Sequence, residues 1–204
     1  MGYSDHVSTP ALNWGKNNED RACAAYLTYM RGKGHDIEYA PSGLHLHCES
    51  MFLDASSERY VFDSTENCYT GGCLEIKCSY SVKNVSALDN VPAELVKLSR
   101  DFCLYHSGNG ELKLKRTHPY FAQVQGGMVL MCVEWCDFVV FTPARLHVER
   151  IAADYDFWLK ELYPKLVLFF ERHILPNFLT GRQSAVKEGR VLNEYCSACW
   201  SRYA

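Results

Sequence analysis

Residues 72–79 read GCLEIKCS, and their apolar and polar side chains alternate as in a half-buried β-strand. Leu74, Ile76 and Cys78 share one face, while Cys73, Glu75 and Lys77 share the other. Glu75 and Lys77 therefore project side by side from a strand whose opposite face seeks a core. A carboxylate beside an ammonium suits metal-assisted hydrolysis. The carboxylate holds a hard cation, and the ammonium orients attacking water or steadies charge on a phosphate. An exposed edge strand produces the same triplet, so its surroundings decide. Phosphodiester chemistry of this kind needs a second acid nearby. Glu58 lies in the polar turn Ser56-Ser57-Glu58-Arg59, 17 residues before Glu75, with Asp54 and Asp63 as rivals in the same hairpin.

Working outward, residues 17–31 (NNEDRACAAYLTYMR) carry Ala22, Ala25, Tyr26, Tyr29 and Met30 at three- and four-residue spacing. That predicts an amphipathic helix, capped by Asn18 and ended by Gly32-Lys33-Gly34. Short strands are expected at 44–47, 51–53 and 60–62, then a loop over 67–72. Beyond the LEIK strand, 92–104 has a helical pattern and Ser107-Gly108-Asn109-Gly110 a hairpin-type turn. Leu112 and Leu114 alternate with lysines, and Pro119 opens a helix to about Met131. Residues 137–141 form a strand, and 154–178 a long aromatic helix interrupted before Pro164 and Pro176. Helices and strands in this order indicate an α/β or α+β single domain over 1–204.

Composition is consistent with that reading. The chain has 204 residues, 48% hydrophobic and 22% charged, enough for one sizeable core. Aromatic residues at 13% argue against disorder. Apolar runs such as 138–141 and 166–170 fall far short of the ~20 residues of a membrane span. Residues 1–14 lack the basic start and apolar centre of a secretory signal, so an intracellular protein of cytoplasm or nucleus is expected. Its ten cysteines then read as free thiols, with Cys196 and Cys199 spaced like half a zinc site. Net charge is −3, unevenly spread: residues 1–102 hold 9 Lys/Arg against 14 Asp/Glu, and 103–204 hold 12 against 10. A nucleic-acid binder is usually more basic. An acidic half suits divalent cations, which bring positive charge to a phosphate, although an uneven solvated surface gives the same count.

Residues 52–63 (FLDASSERYVFD), followed by 72–79, resemble the YqaJ-type viral recombinase, or phage lambda exonuclease, family of PD-(D/E)xK nucleases. That family has a hairpin ending S-P-D-G, an L-E-I-K-C strand and a helix of pattern Y-x-x-Q-x-Q. The helix motif corresponds to 118–128 (HPYFAQVQGGM), with Tyr120, Gln123 and Gln125. Residues 14–22 (WGKNNEDRA) are similar to the family's upstream W-G-x-x-x-E-x-x-A, and 135–141 (WCDFVVF) to the segment after the glutamine helix. The likeness spans 14–141, with a helical extension over 154–204.

The resemblance implies a restriction-endonuclease-like core, a central mixed sheet flanked by helices. It places metal ligands at Glu58, Glu75 and the main-chain carbonyl of Ile76, with Glu19 serving a second metal. Lys77 would sit beside the nucleophilic water, and Gln123 would hold water or scissile phosphate near Tyr120. Ser56 and Lys83 stand at 5′-phosphate positions, and Gln125 is expected on the DNA. The implied activity is a Mg²⁺-dependent 5′→3′ exodeoxyribonuclease, with Mn²⁺ as a substitute. Its partners would be duplex DNA ends, a single-strand annealing protein and two further copies in a trimer, with no membrane.

The sequence departs from the pattern at the hairpin. Glu58 replaces the usual Asp, and Ser57 and Arg59 stand for proline and glycine, implying a different turn. The resemblance also leads to the expectation that the family's upstream helix, with its phosphate-binding arginine, is missing before Trp14. A catalytically weak or inactive module that binds DNA ends or a protein is therefore the competing expectation.

Overall fold

The computed structural model describes residues 9–65, 71–80 and 102–181. Helix α1 (Pro10–Gly32) begins earlier than the periodicity suggests, because Thr9 caps it and proline suits its first position. The Thr9 hydroxyl accepts the Leu12 N–H at 3.2 Å. Asn18, the expected cap, instead sits buried inside the helix and donates to the Trp14 carbonyl at 2.9 Å. Asn18, Ala22, Cys23, Tyr26 and Met30 form the buried stripe. Gly34, at φ 88°, turns the chain away from the helix end.

Four strands precede the LEIK segment: β1 (Ile37–Pro41), β2 (His45–Leu46), β3 (Asp54–Ala55) and β4 (Arg59–Asp63). Residues 51–52 form a turn rather than part of a strand. The LEIK segment itself is β5 (Gly72–Lys77). Then come β6 (Leu104–His106) and β7 (Leu112–Leu114), joined by the expected turn. Leu104 thus opens a strand instead of closing a helix, and the rest of the helix expected over 92–104 lies almost wholly outside the described residues. Helix α2 (Pro119–Met131) follows, then β8 (Trp135–Phe141) and β9 (Leu146–Ala152).

The main sheet has the order β1-β4-β5-β8-β9. Only β5 and β8 run parallel, pairing Glu75 with Phe138 and Lys77 with Val140. The sheet is therefore mixed, with β5 at its centre. On one side α1 covers Val61, Leu74, Ile76, Val139 and Phe141. On the other, Phe121, Val124 and Met128 of α2 pack against Cys73, Cys136, Phe138 and Val140. Burial on both faces explains why β8 reads as an apolar run, and β5, whose alternation suggests a half-buried strand, is buried on both faces as well.

Helix α3 spans 155–181 without a break. Its turns widen into π-helix at Trp158–Leu162 and Phe170–Ile174, each just before a proline-bearing segment. Proline has no N–H and its ring crowds the preceding turn, and the extra residue of a π-turn absorbs both defects. The interruptions expected at Pro164 and Pro176 are thus bulges.

A buried polar network ties α1 to three strands. Asp137, with no exposure, accepts the Tyr26 hydroxyl at 2.6 Å and Arg150 Nε at 2.9 Å. Arg150 Nη1 also donates to Asp63 at 2.9 Å, and His35 contacts the same carboxylate. Burial and the Asp137 charge push the Tyr26 phenol far above its ordinary range. The Arg150 guanidinium lies 3.9 Å over the Trp135 ring. The ring's neighbour Gly72 has no room for a side chain, since a Cβ there would lie 2.3 Å from the indole.

Candidate active site

The pleat of β5 points Glu75 and Lys77 toward α2, and α2 answers with Gln123. Lys77 Nζ donates to Glu75 Oε1 at 2.6 Å and to Gln123 Oε1 at 3.0 Å. Gln123 Nε2 donates to the same Glu75 oxygen at 2.8 Å, closing a triangle. Glu75 is only 4% exposed, so the three groups hold one another in a site of restricted solvent. His118 caps α2 by accepting the Tyr120 N–H, and the Tyr120 ring lies 4.5 Å from Lys77 Nζ. A cation over an aromatic face at that distance is held by the ring quadrupole.

Glu58 arrives from the turn before β4. Its N–H donates to the Leu74 carbonyl at 3.1 Å, which anchors the turn to β5. Its carboxyl shares a hydrogen bond with Glu19 of α1 and is pushed up to about 7 by burial, then by the charges of Glu19 and Glu75. Lys77 offsets only part of that effect. The neighbouring Cys78 thiol is pushed up to about 11 by burial, then by Glu58 and Glu19. Three acids thus converge where β5 ends.

The donor set fits a hard divalent cation. Among the described residues no three His, Cys, Asp or Glu side chains form a ready cage. Glu58 and Glu75 could supply two carboxylates to such an ion, and the family resemblance offers the Ile76 carbonyl as a third protein oxygen; the Ile76 side chain is buried on the α1 side. Few protein oxygens with waters completing the shell is the usual arrangement for Mg²⁺. Burial first, then the charges of Glu19 and Glu75, raise the Glu58 carboxyl, and a cation beside it would favour its ionised form.

A cleft of about 360 Å³ opens beside the triangle, with Ser56, Ser57, Glu75 and Gln123 on one side and Trp158 and Leu162 of α3 on the other. Ser56 is exposed on this wall. Gly126 and Gly127 form part of the lining; a Cβ on Gly126 would lie 3.6 Å from Trp158 and Leu162. The chain therefore gathers Glu19, Glu58, Glu75, Lys77, Tyr120 and Gln123, with Ser56 at the rim. Lys83, Cys196 and Cys199 lie outside the described residues. The described cysteines are free thiols, as expected.

Gln125 corrects the expectation of a DNA contact. It is 1% exposed and faces away from the triangle, donating to the Ala152 carbonyl at 3.0 Å and accepting the Asp154 N–H at 2.7 Å. Residues two apart on a helix point about 200° apart, so Gln123 and Gln125 could not share a task. That geometry was available from the sequence. Arg59, by sequence, is only a departure from the family's turn. In the fold it lies on the α1 side of β4 with Val61 and Asp63, and reaches Glu19 at 3.5 Å and Asp20 at 3.6 Å.

A mixed sheet between α1 and α2, with the acids and lysine at the end of a central strand, defines a restriction-endonuclease-like α/β fold. Residues 2–130 match the model of the YqaJ-like viral recombinase domain, and the chain belongs to that family. Among solved structures, an alkaline exonuclease (LHK-Exo) from Laribacter hongkongensis aligns with a TM-score of 0.55 at 21% identity, over 88% of this chain and 76% of that one. LHK-Exo in complex with dAMP aligns with a TM-score of 0.57 at 20% identity, over 89% and 77%. At such identity the likeness concerns the fold. A comparison with curated proteins found no match.

Proposed function

We propose that this chain is a Mg²⁺-dependent deoxyribonuclease that degrades duplex DNA from its ends in the 5′→3′ direction. The observation that carries the reading is the closed triangle of Glu75, Lys77 and Gln123 beside the Glu58–Glu19 pair. Family membership and the likeness to the alkaline exonuclease LHK-Exo, solved also in complex with dAMP, support it. A divalent ion on Glu58, Glu75 and the Ile76 carbonyl would supply Lewis-acid stabilisation and a more acidic bound water. The protein groups do the positioning. Lys77 has three donor protons and spends two on Glu75 and Gln123, leaving one for a phosphate oxygen or the attacking water. Gln123 fixes Glu75 and Lys77 relative to each other, and the Tyr120 ring limits where the ammonium can swing. Ser56, on the cleft wall, is suited to accept a terminal phosphate. Trimer formation, a single-strand annealing partner and an intracellular setting belong to the same proposal. No helix among the described residues is long and apolar enough to cross a membrane.

The test is degradation of linear 5′-phosphorylated duplex DNA with Mg²⁺ or Mn²⁺, comparing wild type with Lys77→Ala. Metal-dependent degradation lost in the variant is expected. The second reading, end binding without cleavage, is favoured by Arg59 standing against Glu19. Retained DNA-end binding with no cleavage by wild type would replace the first reading with the second.

A further inference from the structure

Arg59 follows the turn acid directly, and three contacts define its position. Its Nη1 donates to the main-chain carbonyl of Glu58 at 2.6 Å. The same nitrogen lies 3.5 Å from Glu19 Oε1, and Nη2 lies 3.6 Å from Asp20. Asp20 is almost fully exposed and holds little, whereas the Glu19 side chain is 35% exposed and that of Arg59 23%. The guanidinium is thus latched between the main chain of one acid and the carboxylate of the next. Register explains the reach: Arg59, Val61 and Asp63 alternate onto the face of β4 that α1 covers. A guanidinium keeps its charge at any pH at which the protein folds. A divalent ion approaching Glu19 would meet that charge at close range and would have to displace it.

We propose that Arg59 takes the electrostatic place of a second cation, so that this site binds one divalent ion rather than two. This inference rests on the metal reading of the site given above. Glu58, Glu75 and the Ile76 carbonyl hold the single ion. Glu19 is then matched by the protein's own fixed charge, and Arg59 acts as a positioning residue.

The experiment is Mn²⁺ binding to the whole chain, followed by the electron paramagnetic resonance of free Mn²⁺ and by calorimetry. Wild type is expected to bind one ion and Arg59→Gln two. Arg59→Lys, which keeps the charge, should remain at one. In the Arg59→Gln background, Glu19→Gln should return the count from two to one, which locates the second ion. Two ions on wild type, or one on Arg59→Gln that still binds the first normally, would overturn the role of Arg59 and leave the metal reading standing. No Mn²⁺ on any of the proteins would overturn the metal reading and this inference with it.

Discussion

Replacing Lys77 by methionine tests the site as a charge arrangement, independently of any assay of cleavage. The Lys77 ammonium sits 2.6 Å from Glu75, and the two side chains are 17% and 6% exposed. Removing one partner of a buried pair costs about 3–5 kcal/mol, because the other charge is left without compensation. Gln123 still donates to Glu75 at 2.8 Å, so the low end, about 3 kcal/mol, is expected here. For a chain of this size each kcal/mol moves Tm by about 2–4 °C, giving a fall of roughly 6–12 °C in metal-free buffer. The double variant Glu75→Gln/Lys77→Met removes both charges and should recover most of that loss. Saturating Mg²⁺ should raise Tm more in Lys77→Met than in wild type, since it gives Glu75 a new partner. Scanning calorimetry or circular dichroism reads all three. A Lys77→Met protein that melts within about 2 °C of wild type without metal would refute the reasoning, because Glu75 would then not depend on Lys77 for its charge balance.

Three further outcomes follow from the same contacts. Gly72→Ala drives a Cβ to 2.3 Å from an indole that also packs against the Arg150 guanidinium, so the urea midpoint should fall by the equivalent of about 1–3 kcal/mol or more, with an unchanged slope. Burial raises the Asp63 carboxyl, but hydrogen bonds from Arg150, His35 and Thr65 outweigh it and hold the pKa below the usual 3.8. Its stabilising contribution is therefore present above about pH 4 and lost as pH falls through the lower folded value; Asp63→Asn should flatten that acid limb in urea titrations while lowering stability at neutral pH. Alkylation near neutral pH should mark the exposed Cys48 and Cys132 and spare Cys73, Cys103 and Cys136 in the native protein, as peptide mass spectrometry would read. Burial pushes the Cys103 thiol up to about 11 and that of Cys136 well above its ordinary value, so little thiolate is available at either.

What depends on neighbours along the chain was legible before any fold was known. The alternation of 72–79 made β5 and put Glu75 beside Lys77, Pro119 started α2, and Ser107–Gly110 made a hairpin, because pleat, ring geometry and turn chemistry act over a few residues. The ordered motifs pointed to the family, and the resemblance implied the grouping of Glu19, Glu58, Glu75, Lys77 and Gln123. Contacts between distant segments came from packing. Burial of β8 and β9 around Asp137 joined Tyr26, Asp63 and Arg150, residues with no local pattern in common. The wide turns of α3 appeared where two prolines had to be absorbed in a helix packed against α2. Gln125 became a brace for Ala152 and Asp154. Arg59, a departure at a turn when read alone, acquired a partner because β4 lies under α1, and a guanidinium beside Glu19 is a property of that packing, not of the turn.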